Sequence, residues 1–249
     1  MKSEFLSTAA HELRTPMASI YGFTELLLSQ EFEPGDRQDF LETIFKQSEL
    51  MVSIINELLD LARIEARRGK DFVMINLVAC ELTHEIVANF KISAERLPPK
   101  EPECHTPCSI RGDRKKLTQA ISNVISNAYK YSPAGGAVTV EFVALTPETT
   151  TEDVTDALSL LGIRISDQGI GMTPEQLAGV CERFYRADAS GKIPGTGLGM
   201  SIVKEIVELH GGSLQIESQF GVDTTVTLWL PVASGASDNT VNILPRGAN

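Results

Sequence analysis

Apolar residues recur at alternating steps of three and four positions in two runs within residues 1–68. That spacing keeps them on one face of an α-helix, in the pattern of a coiled coil. A helix-stopping turn at residues 33–36 separates the two runs, so the sequence predicts a hairpin of two long helices. The first stripe is Leu6, Leu13, Met17, Ile20, Thr24 and Leu27, and the second is Leu41, Ile44, Ser48, Met51, Ile55, Leu58 and Ala62.

Each predicted helix also carries apolar residues away from its main stripe, among them Leu26, Leu28, Phe40 and Phe45. Two helices packed only against each other cannot bury that much apolar surface. A four-helix bundle assembled from two chains can, so we expect a homodimer through the hairpin. The first helix begins with almost no lead-in, which predicts a piece cut from a longer receptor.

One histidine on the first helix faces away from the predicted stripe. His11 lies two positions before Leu13 and therefore about 200° from it around the helix axis. Glu12 follows directly, and Thr15 lies one turn further on, on the face of the imidazole. An exposed imidazole beside a carboxylate can act as a nucleophile, but a solvated histidine on a polar helix face gives the same local pattern. Taken alone, the stretch leaves both readings open.

The composition excludes several classes of protein. The chain has 249 residues, an apolar share of 42% and a net charge of −11, enough for one large or two ordinary domains. No apolar run approaches the roughly 18 residues of a membrane span. The negative charge argues against a surface for nucleic acid or anionic lipid. We therefore expect a cytoplasmic fragment with no nucleic-acid or membrane contact of its own.

The four cysteines are Cys80, Cys104, Cys108 and Cys181. Their spacing forms no paired framework, which suits a reducing cytoplasm. The stretch Cys104-His105-x-x-Cys108 has the spacing of metal ligands, but no second pair completes a tetrahedral set. The sequence therefore favours free thiols over a metal site.

The helical spacing of apolar residues ends at a charged linker, which we place at residues 69–72. Residues 73–232 alternate short apolar strands with helices, which predicts an α/β sandwich whose mixed sheet is covered by three helices. A polar, acidic insert occupies residues 146–160, and we expect the small, polar tail at 233–249 to be disordered. The predicted strands are 72–78, 108–110, 137–145, 161–166, 214–218 and 224–230, and the predicted helices are 81–94, the one that opens at Gly112-Asp113, and 201–210.

Two glycine clusters lie at the ends of predicted elements. In the first, Asp167 follows an apolar strand, while Gly169 and Gly171 would let a planar ligand approach the backbone. The second leads into a helix, whose free amides favour phosphate. Each cluster alone could equally be a flexible turn, and no P-loop, dinucleotide fingerprint or protein-kinase motif set fits. The second cluster is Gly195, Thr196, Gly197, Leu198 and Gly199.

A third group of polar residues follows helical spacing. Asn123 and Asn127 lie one turn apart on a helix whose other face is apolar, and Lys130 and Tyr131 follow them. Two amide oxygens can hold a hydrated Mg²⁺ against a triphosphate, the lysine adds a charge, and the tyrosine offers a face for a purine. Asparagines that merely cap or decorate a helix are the alternative reading.

Five ordered motifs resemble those of the cytoplasmic core of two-component sensor histidine kinases, and the likeness covers nearly all of residues 5–231. FLSTAAHELRTP resembles the phosphoacceptor box and QAISNVISNAYKYSP the asparagine box. DQGIGM and GTGLGMSIVKEIVELHGG resemble the two glycine boxes, and ERFYRAD the phenylalanine box. The resemblance implies a dimerisation and phosphotransfer hairpin over 1–68 and an ATP-binding domain with the fold of gyrase, Hsp90 and MutL. Met200, where leucine is usual, and the insert at 146–160 depart from the pattern.

The resemblance also implies roles for individual residues. His11 is expected to be phosphorylated, Glu12 to assist the transfer, and Thr15 to position a water that dephosphorylates the partner regulator. Asn127, with help from Asn123, is expected to coordinate Mg²⁺. Lys130 and Arg186 are expected to meet phosphates of ATP, and Tyr131 and Asp167 its adenine. The residues expected to shape the pocket and its lid are Gly169, Gly171, Gly195, Thr196, Gly197, Leu198 and Gly199.

The activity implied is ATP-dependent autophosphorylation of His11, followed by transfer to an aspartate on a response regulator. A phosphatase activity against that regulator would accompany it. Two other classes stay open, a plain ATPase without a protein intermediate and a dimeric interaction module that has lost catalysis. Whether transfer runs within one protomer or across the dimer also stays open.

Overall fold

The computed structural model describes residues 2–92, 96–104, 108–145, 160–187, 193 and 195–233. The chain separates into two compact units. The first unit contains Met1–Ala66 and Val180–Ile202, and the second contains Arg67–Gly179 and Val203–Asn249. Most of the predicted insert at 146–160 and all but the first residue of the predicted tail lie outside the described residues.

Two long helices dominate the first unit, α1 (Lys2–Ser29) and α2 (Pro34–Arg67), which confirms the predicted hairpin. The amide of Arg37 donates to the carbonyl of Glu33 at 3.0 Å, so α2 begins at the predicted turn. Aromatic rings pack beside that turn, because Phe40 lies 5.3 Å from Phe23 and 4.9 Å from Phe32 between ring centroids. These contacts hold the two helices together at the closed end of the hairpin.

The hairpin of a single chain leaves much of its apolar surface uncovered. On α2 the fully buried apolar side chains are Ile54, Leu61 and Ile64. Large apolar side chains remain exposed along both helices, as the excess apolar residues of the sequence suggest. They are Leu6, Met17, Tyr21, Leu26, Leu28, Leu41, Phe45, Val52, Ile55 and Leu59.

The second unit is a sheet covered by helices, as predicted. Its four-stranded sheet has the order β3-β4-β6-β5 with antiparallel pairing throughout, and β1 and β2 form a separate antiparallel pair. The one parallel pairing among the described residues is an isolated bridge between Lys100 and Thr139, so the described strands form an antiparallel sheet rather than the predicted mixed one. The elements are β1 (Ile75–Val78), α3 (Ala79–Asn89), β2 (Ser109–Gly112), α4 (Arg114–Lys130), β3 (Thr139–Leu145), β4 (Leu160–Asp167), α5 (Pro174–Gly179), α6 (Gly199–Leu209), β5 (Ser213–Gln219) and β6 (Asp223–Pro231).

Three helices, α3, α4 and α6, each bury an apolar face. Burying one leucine or isoleucine side chain contributes about 1.5–3 kcal/mol, so these faces and the inner face of the sheet form the core. The short helix α5 was not predicted, and α3 ends at Asn89 rather than Ala94. The core side chains with almost no exposure include Leu82, Leu117, Ile121, Ile125, Ile163, Ile165, Ile202, Ile206 and Leu228.

One expectation about the cysteines is wrong. A disulfide joins Cys80, in the first turn of α3, to Cys104, which lies in the irregular stretch before β2. The two residues are 24 positions apart, but the chain returns so that their Cα atoms are 6.1 Å apart. Cys108 and Cys181 form no disulfide with the described residues, and burial raises the pKa of the Cys108 thiol. Sequence spacing could not show this pairing because it arises from the path of an irregular segment.

A buried polar contact joins the start of α4 to the end of α6. The Asp113 carboxylate caps α4 by accepting from the amide of Lys116 at 3.0 Å and also accepts from the amide of Val73 at 2.8 Å. The amide of Asp113 donates to Nε2 of buried His210 at 2.9 Å, while Nδ1 of His210 lies 2.7 Å from the carbonyl of Ile206. His210 must therefore be neutral, with its proton on Nδ1.

The protonation of His210 should make the stability of this unit sensitive to pH. Burial lowers the pKa of His210 more than its contacts with Ile206 and Asp113 raise it. At pH values between that lowered pKa and the reference value of about 6.5, the histidine is protonated in the unfolded chain but neutral in the folded chain. The contribution of His210 to stability therefore falls as pH falls. Burial raises the pKa of Asp167 in the same unit, and its protonation acts in the opposite direction, so the effect of His210 is measured against a variant that lacks the imidazole. We expect the urea midpoint of the wild type, followed by fluorescence of the single tryptophan, Trp229, to fall relative to that of His210→Gln from about pH 7.5 to about pH 5.5.

The matched variant is His210→Gln, which cannot take up a proton. It should be less stable than the wild type near neutral pH, because the amide of Asp113 loses its partner. The stability advantage of the wild type over this variant should shrink as pH falls across the same range. Equal slopes for the two proteins would contradict this account.

Candidate active site

The phosphoacceptor motif lies in the middle of α1, within the first unit. The His11 side chain is 73% exposed, and its Nδ1 lies 3.6 Å from Oε1 of Glu12. The hydroxyl of Thr15 donates to the carbonyl of His11 at 3.4 Å, one turn back along the helix. The imidazole is therefore accessible, with one ring nitrogen facing a carboxylate and the other free.

The first glycine cluster places a buried carboxyl group at the end of β4. Asp167 is only 8% exposed, and its Oδ1 accepts from the amide of Gly169 at 2.8 Å. Burial raises the pKa of Asp167 to about 6, against the lowering effect of the hydrogen bonds from Gly169 and Ser132, and nearby Asp223 raises it further. A pKa shifted this far by burial is typical of a functional carboxyl group.

The second partner of Asp167 was not predicted from the sequence. The hydroxyl of buried Ser132 lies 2.7 Å from the carbonyl of Ala128 and 3.3 Å from Oδ1 of Asp167. Since a hydroxyl has one proton, it donates to one of these oxygens at a time. The backbone carbonyl of Ser132 in turn accepts a hydrogen bond from Nη1 of Arg96 at 2.8 Å. The sequence signal that could have identified Ser132 is its position in the asparagine motif, directly after Tyr131.

Close packing requires glycine at two positions of this first cluster. The alternative that the cluster is only a flexible turn is therefore excluded. A Cβ atom on Gly169 would lie 2.3 Å from the carbonyl oxygen of Tyr131. One on Gly171, where φ is 58°, would lie 1.9 Å from the carbonyl oxygen of Gln219. The backbone between them is held by a hydrogen bond from the amide of Ile170 to the carbonyl of Tyr131 at 2.9 Å.

The asparagine motif occupies the last turns of α4. Asn123 and Asn127 are half-buried and one turn apart, next to the buried residues Val124 and Ala128. Tyr131 caps the helix by donating its amide to the carbonyl of Asn127, and Nζ of Lys130 lies 4.9 Å from the Tyr131 ring centroid. The end of α4 and the loop at 167–171 therefore meet within the second unit.

The second glycine cluster belongs to the first unit and leads into α6, as predicted. Leu198 is buried, its carbonyl accepts from the amide of Ile202 at 3.0 Å, and its amide donates to Oγ1 of Thr196 at 3.2 Å. Gly197 has a φ of 72°, and a Cβ there would lie 2.6 Å from the Phe184 backbone. Gly195 is half-buried, and Gly199 is the first residue of the helix.

Residues 180–202 contact both helices of the hairpin, which the sequence did not predict. The hydroxyl of Thr196 donates to Glu57 on α2. Arg183 forms an ion pair with Glu65 on α2 and lies over the ring of Phe5 on α1, 5.5 Å from its centroid. The rings of Phe5 and Phe184 are 5.7 Å apart.

Arg186, for which a role at the phosphates of ATP stays a prediction, donates from Nη2 to the carbonyl of Ile193 at 2.6 Å. We expect residues 171–195 to form a mobile lid, and of these, residues 188–192 and 194 lie outside the described residues. In the described part of the chain, every helix is too short or too polar to cross a membrane.

Two family models match this chain. Residues 1–67 match the His Kinase A (phospho-acceptor) domain, and residues 112–234 match the Histidine kinase-, DNA gyrase B-, and HSP90-like ATPase. The two matches fall on the hairpin and on most of the predicted ATP-binding domain. The fold and the site thus define a histidine kinase of the type that carries its phosphoacceptor next to an ATPase domain.

Curated relatives are named as histidine kinases, and a solved histidine kinase structure has the same fold. The chain is 32% identical to sensor histidine kinase WalK of Bacillus subtilis and 34% identical to histidine protein kinase DivJ of Caulobacter vibrioides, over 96% and 93% of its length. It spans only 38% and 37% of those two proteins. The structure of Acinetobacter baumannii histidine kinase AdeS has a TM-score of 0.64 at 20% identity, covering 88% of this chain and 96% of that one. The chain belongs to the sensor histidine kinase family, as a catalytic core.

The close approach at Gly171 predicts a clear difference between two glycine variants. Gly221→Ala places alanine at a φ of 76° in open space, which should cost about 1–2 kcal/mol. Gly171→Ala adds the collision with Gln219 and should cost about 1–3 kcal/mol more. Urea unfolding followed by Trp229 fluorescence measures both, and equal losses would show that the loop tolerates a side chain.

Proposed function

We propose that this chain is an ATP-dependent protein-histidine kinase that phosphorylates His11 and passes the phosphoryl group to an aspartate on a response regulator receiver domain. The observation that carries the proposal is the buried carboxyl of Asp167, held at a glycine loop that cannot accept side chains. The match to the ATPase family makes ATP the nucleotide. The match to the phosphoacceptor family over α1 and α2 supports His11 as the acceptor.

Asp167 would bind the adenine. Its raised pKa means that the ionised carboxylate costs stability at neutral pH, because burial removes its hydration. The exocyclic amine of adenine would donate to that carboxylate and offset part of this cost. Tyr131, beside the same loop, would offer its ring to the base.

The phosphates would lie toward the end of α4. Mg²⁺ prefers oxygen ligands, and the amide oxygens of Asn127 and Asn123, half-buried and one turn apart, fit that requirement. When bound, the ion would neutralise charge on the phosphates. Lys130 would add a positive charge from the same helix, and Arg186 would do so from the segment before α6 once it leaves the carbonyl of Ile193.

The transfer itself would need little covalent assistance. Glu12 faces Nδ1 of His11, so the proton belongs on Nδ1 and the lone pair on Nε2. Nε2 would form the new bond to the γ-phosphorus while the bond to the bridging oxygen breaks and ADP leaves with those electrons. Glu12 would hold the Nδ1 proton and stabilise the positive ring. The remaining catalysis would be positioning and charge neutralisation.

The exposed apolar residues of the hairpin support the homodimer, since a second copy could cover them in a four-helix bundle. The regulator would dock on that bundle near His11, where the imidazole is exposed. Thr15, one turn away, would position water for dephosphorylation of the regulator. A cytoplasmic location would supply both ATP and the regulator.

Replacing His11 tests the phosphoacceptor. His11→Gln should abolish incorporation of γ-phosphate label from ATP, because glutamine has no nucleophilic ring nitrogen, while nucleotide affinity stays within about twofold. The label on the wild type should be acid-labile and alkali-stable. Label and nucleotide binding are measured on the same preparations.

Asn127→Ala is the matched control, since it should lose Mg²⁺-ATP binding while keeping the acceptor. A plain ATPase predicts phosphate release that continues undiminished in His11→Gln. A module without catalysis predicts that ATP with Mg²⁺ leaves the melting temperature unchanged. Either result would defeat the kinase proposal.

The pKa of Asp167 predicts how nucleotide affinity depends on pH. The ionised carboxylate accepts the amine hydrogen bond more strongly than the neutral carboxyl does, so affinity should fall as the pH drops below about 6. Calorimetry with a non-hydrolysable ATP analogue measures this directly. Asp167→Asn should bind more weakly near neutral pH and lose that dependence. An affinity that is flat from about pH 7.5 to about pH 5 in the wild type would exclude this role.

A further inference from the structure

Three side chains suited to binding a metal converge at the start of α3, outside the proposed active site. Cys80 and His84 lie one turn apart on α3, and Cys104 comes from the irregular stretch before β2. Their ligand atoms all lie within 4.8 Å of one another. The sequence had suggested a different set, Cys104 with His105 and Cys108. Of those, His105 lies outside the described residues.

The distances fit one tetrahedral zinc ion. Zinc bonds of about 2.3 Å to sulfur and about 2.0–2.1 Å to nitrogen place a sulfur and a nitrogen ligand about 3.6 Å apart at the tetrahedral angle. Nδ1 of His84 lies 3.4 Å from Sγ of Cys80 and 3.7 Å from Sγ of Cys104. The imidazole nitrogen is therefore already placed to share an ion with both sulfur atoms.

The other ring nitrogen has the partner that metal-bound histidines usually have. Nε2 of His84 lies 3.2 Å from Oε2 of Glu101, and a carboxylate there holds the proton on Nε2 and orients the ring. Nδ1 also lies 3.1 Å from the carbonyl oxygen of Cys80.

The disulfide determines when the site can bind. The two sulfur atoms are bonded in this structure, so the thiols become ligands only after reduction. A phosphine reductant supplies two electrons and water two protons, the S–S bond breaks, and two thiols result. Zinc then displaces the thiol protons. The sulfur atoms must separate to about 3.8 Å around a tetrahedral zinc ion. Rotation of the two side chains can provide this, because the Cα atoms are 6.1 Å apart.

We propose that the reduced chain binds one zinc ion through Cys80, His84 and Cys104. Glu101 orients the imidazole, and the fourth position is open to water. The ion ties α3 to the stretch before β2 in the reduced protein, as the disulfide does in the oxidised protein. The site is independent of the kinase chemistry proposed above.

Titration of the full chain with Co²⁺ under a phosphine reductant tests this proposal. One Co²⁺ per chain should bind with the visible bands of a tetrahedral site and a thiolate charge-transfer band, and Zn²⁺ should displace it. Cys80→Ser, Cys104→Ser and His84→Ala should weaken binding by about 100-fold or more, whereas Glu101→Gln should weaken it by about 10–100-fold and keep the bands. Cys181→Ser, which removes a thiol outside the cluster, should bind like the wild type.

Circular dichroism and Trp229 fluorescence of each variant show whether it is folded. In addition, Zn²⁺ should raise the melting temperature of the reduced wild type but not of the oxidised wild type, which has no free thiolate at this site. The proposal is overturned if the reduced wild type binds no more cobalt than Cys80→Ser. It is also overturned if His84→Ala keeps the affinity and spectrum of the wild type.

Discussion

The burial of the Asp167 carboxyl group is the constraint on which the nucleotide-binding half of this structure depends. The carboxyl is acceptable inside the protein because β4 ends there and the amide of Gly169 turns back to donate to it. That turn brings the backbone against the end of α4, so neither Gly169 nor Gly171 can carry a side chain. One electrostatic requirement thus determines the loop, the glycines and the position of Tyr131.

The first unit combines buried apolar side chains with polar contacts to the segment before α6. Ile54, Leu61 and Ile64 on α2 are buried. Glu57 and Glu65 on the same helix engage Thr196 and Arg183, and Phe184 adds a ring contact with Phe5. Exposed ion pairs contribute little to stability, at most about 1 kcal/mol each, so the pair between Arg183 and Glu65 can form and break at low cost.

Most of the regular structure could be predicted from the sequence, because its signals are local. The stripes of α1 and α2, the apolar strands and the cap at Asp113 each depend on neighbours within a few positions. Even the missed helix α5 carries such a signal, since Thr173 and Gln176 bond reciprocally as a capping box with proline between them. The start of α5 is therefore determined by residues within three positions of one another.

The contacts that could not be predicted all join residues far apart in the chain. Ser132 meets Asp167 across 35 positions, His210 meets Asp113 across 97, and Cys104 meets His84 across 20. Motifs reveal which residues carry chemistry, but the partner that sets a pKa or completes a ligand set is determined by packing. The same limit applies to the cluster at the start of α3. Cys80 and His84 are four positions apart on one helix, but the approach of Cys104 to them depends on the path of the irregular stretch before β2.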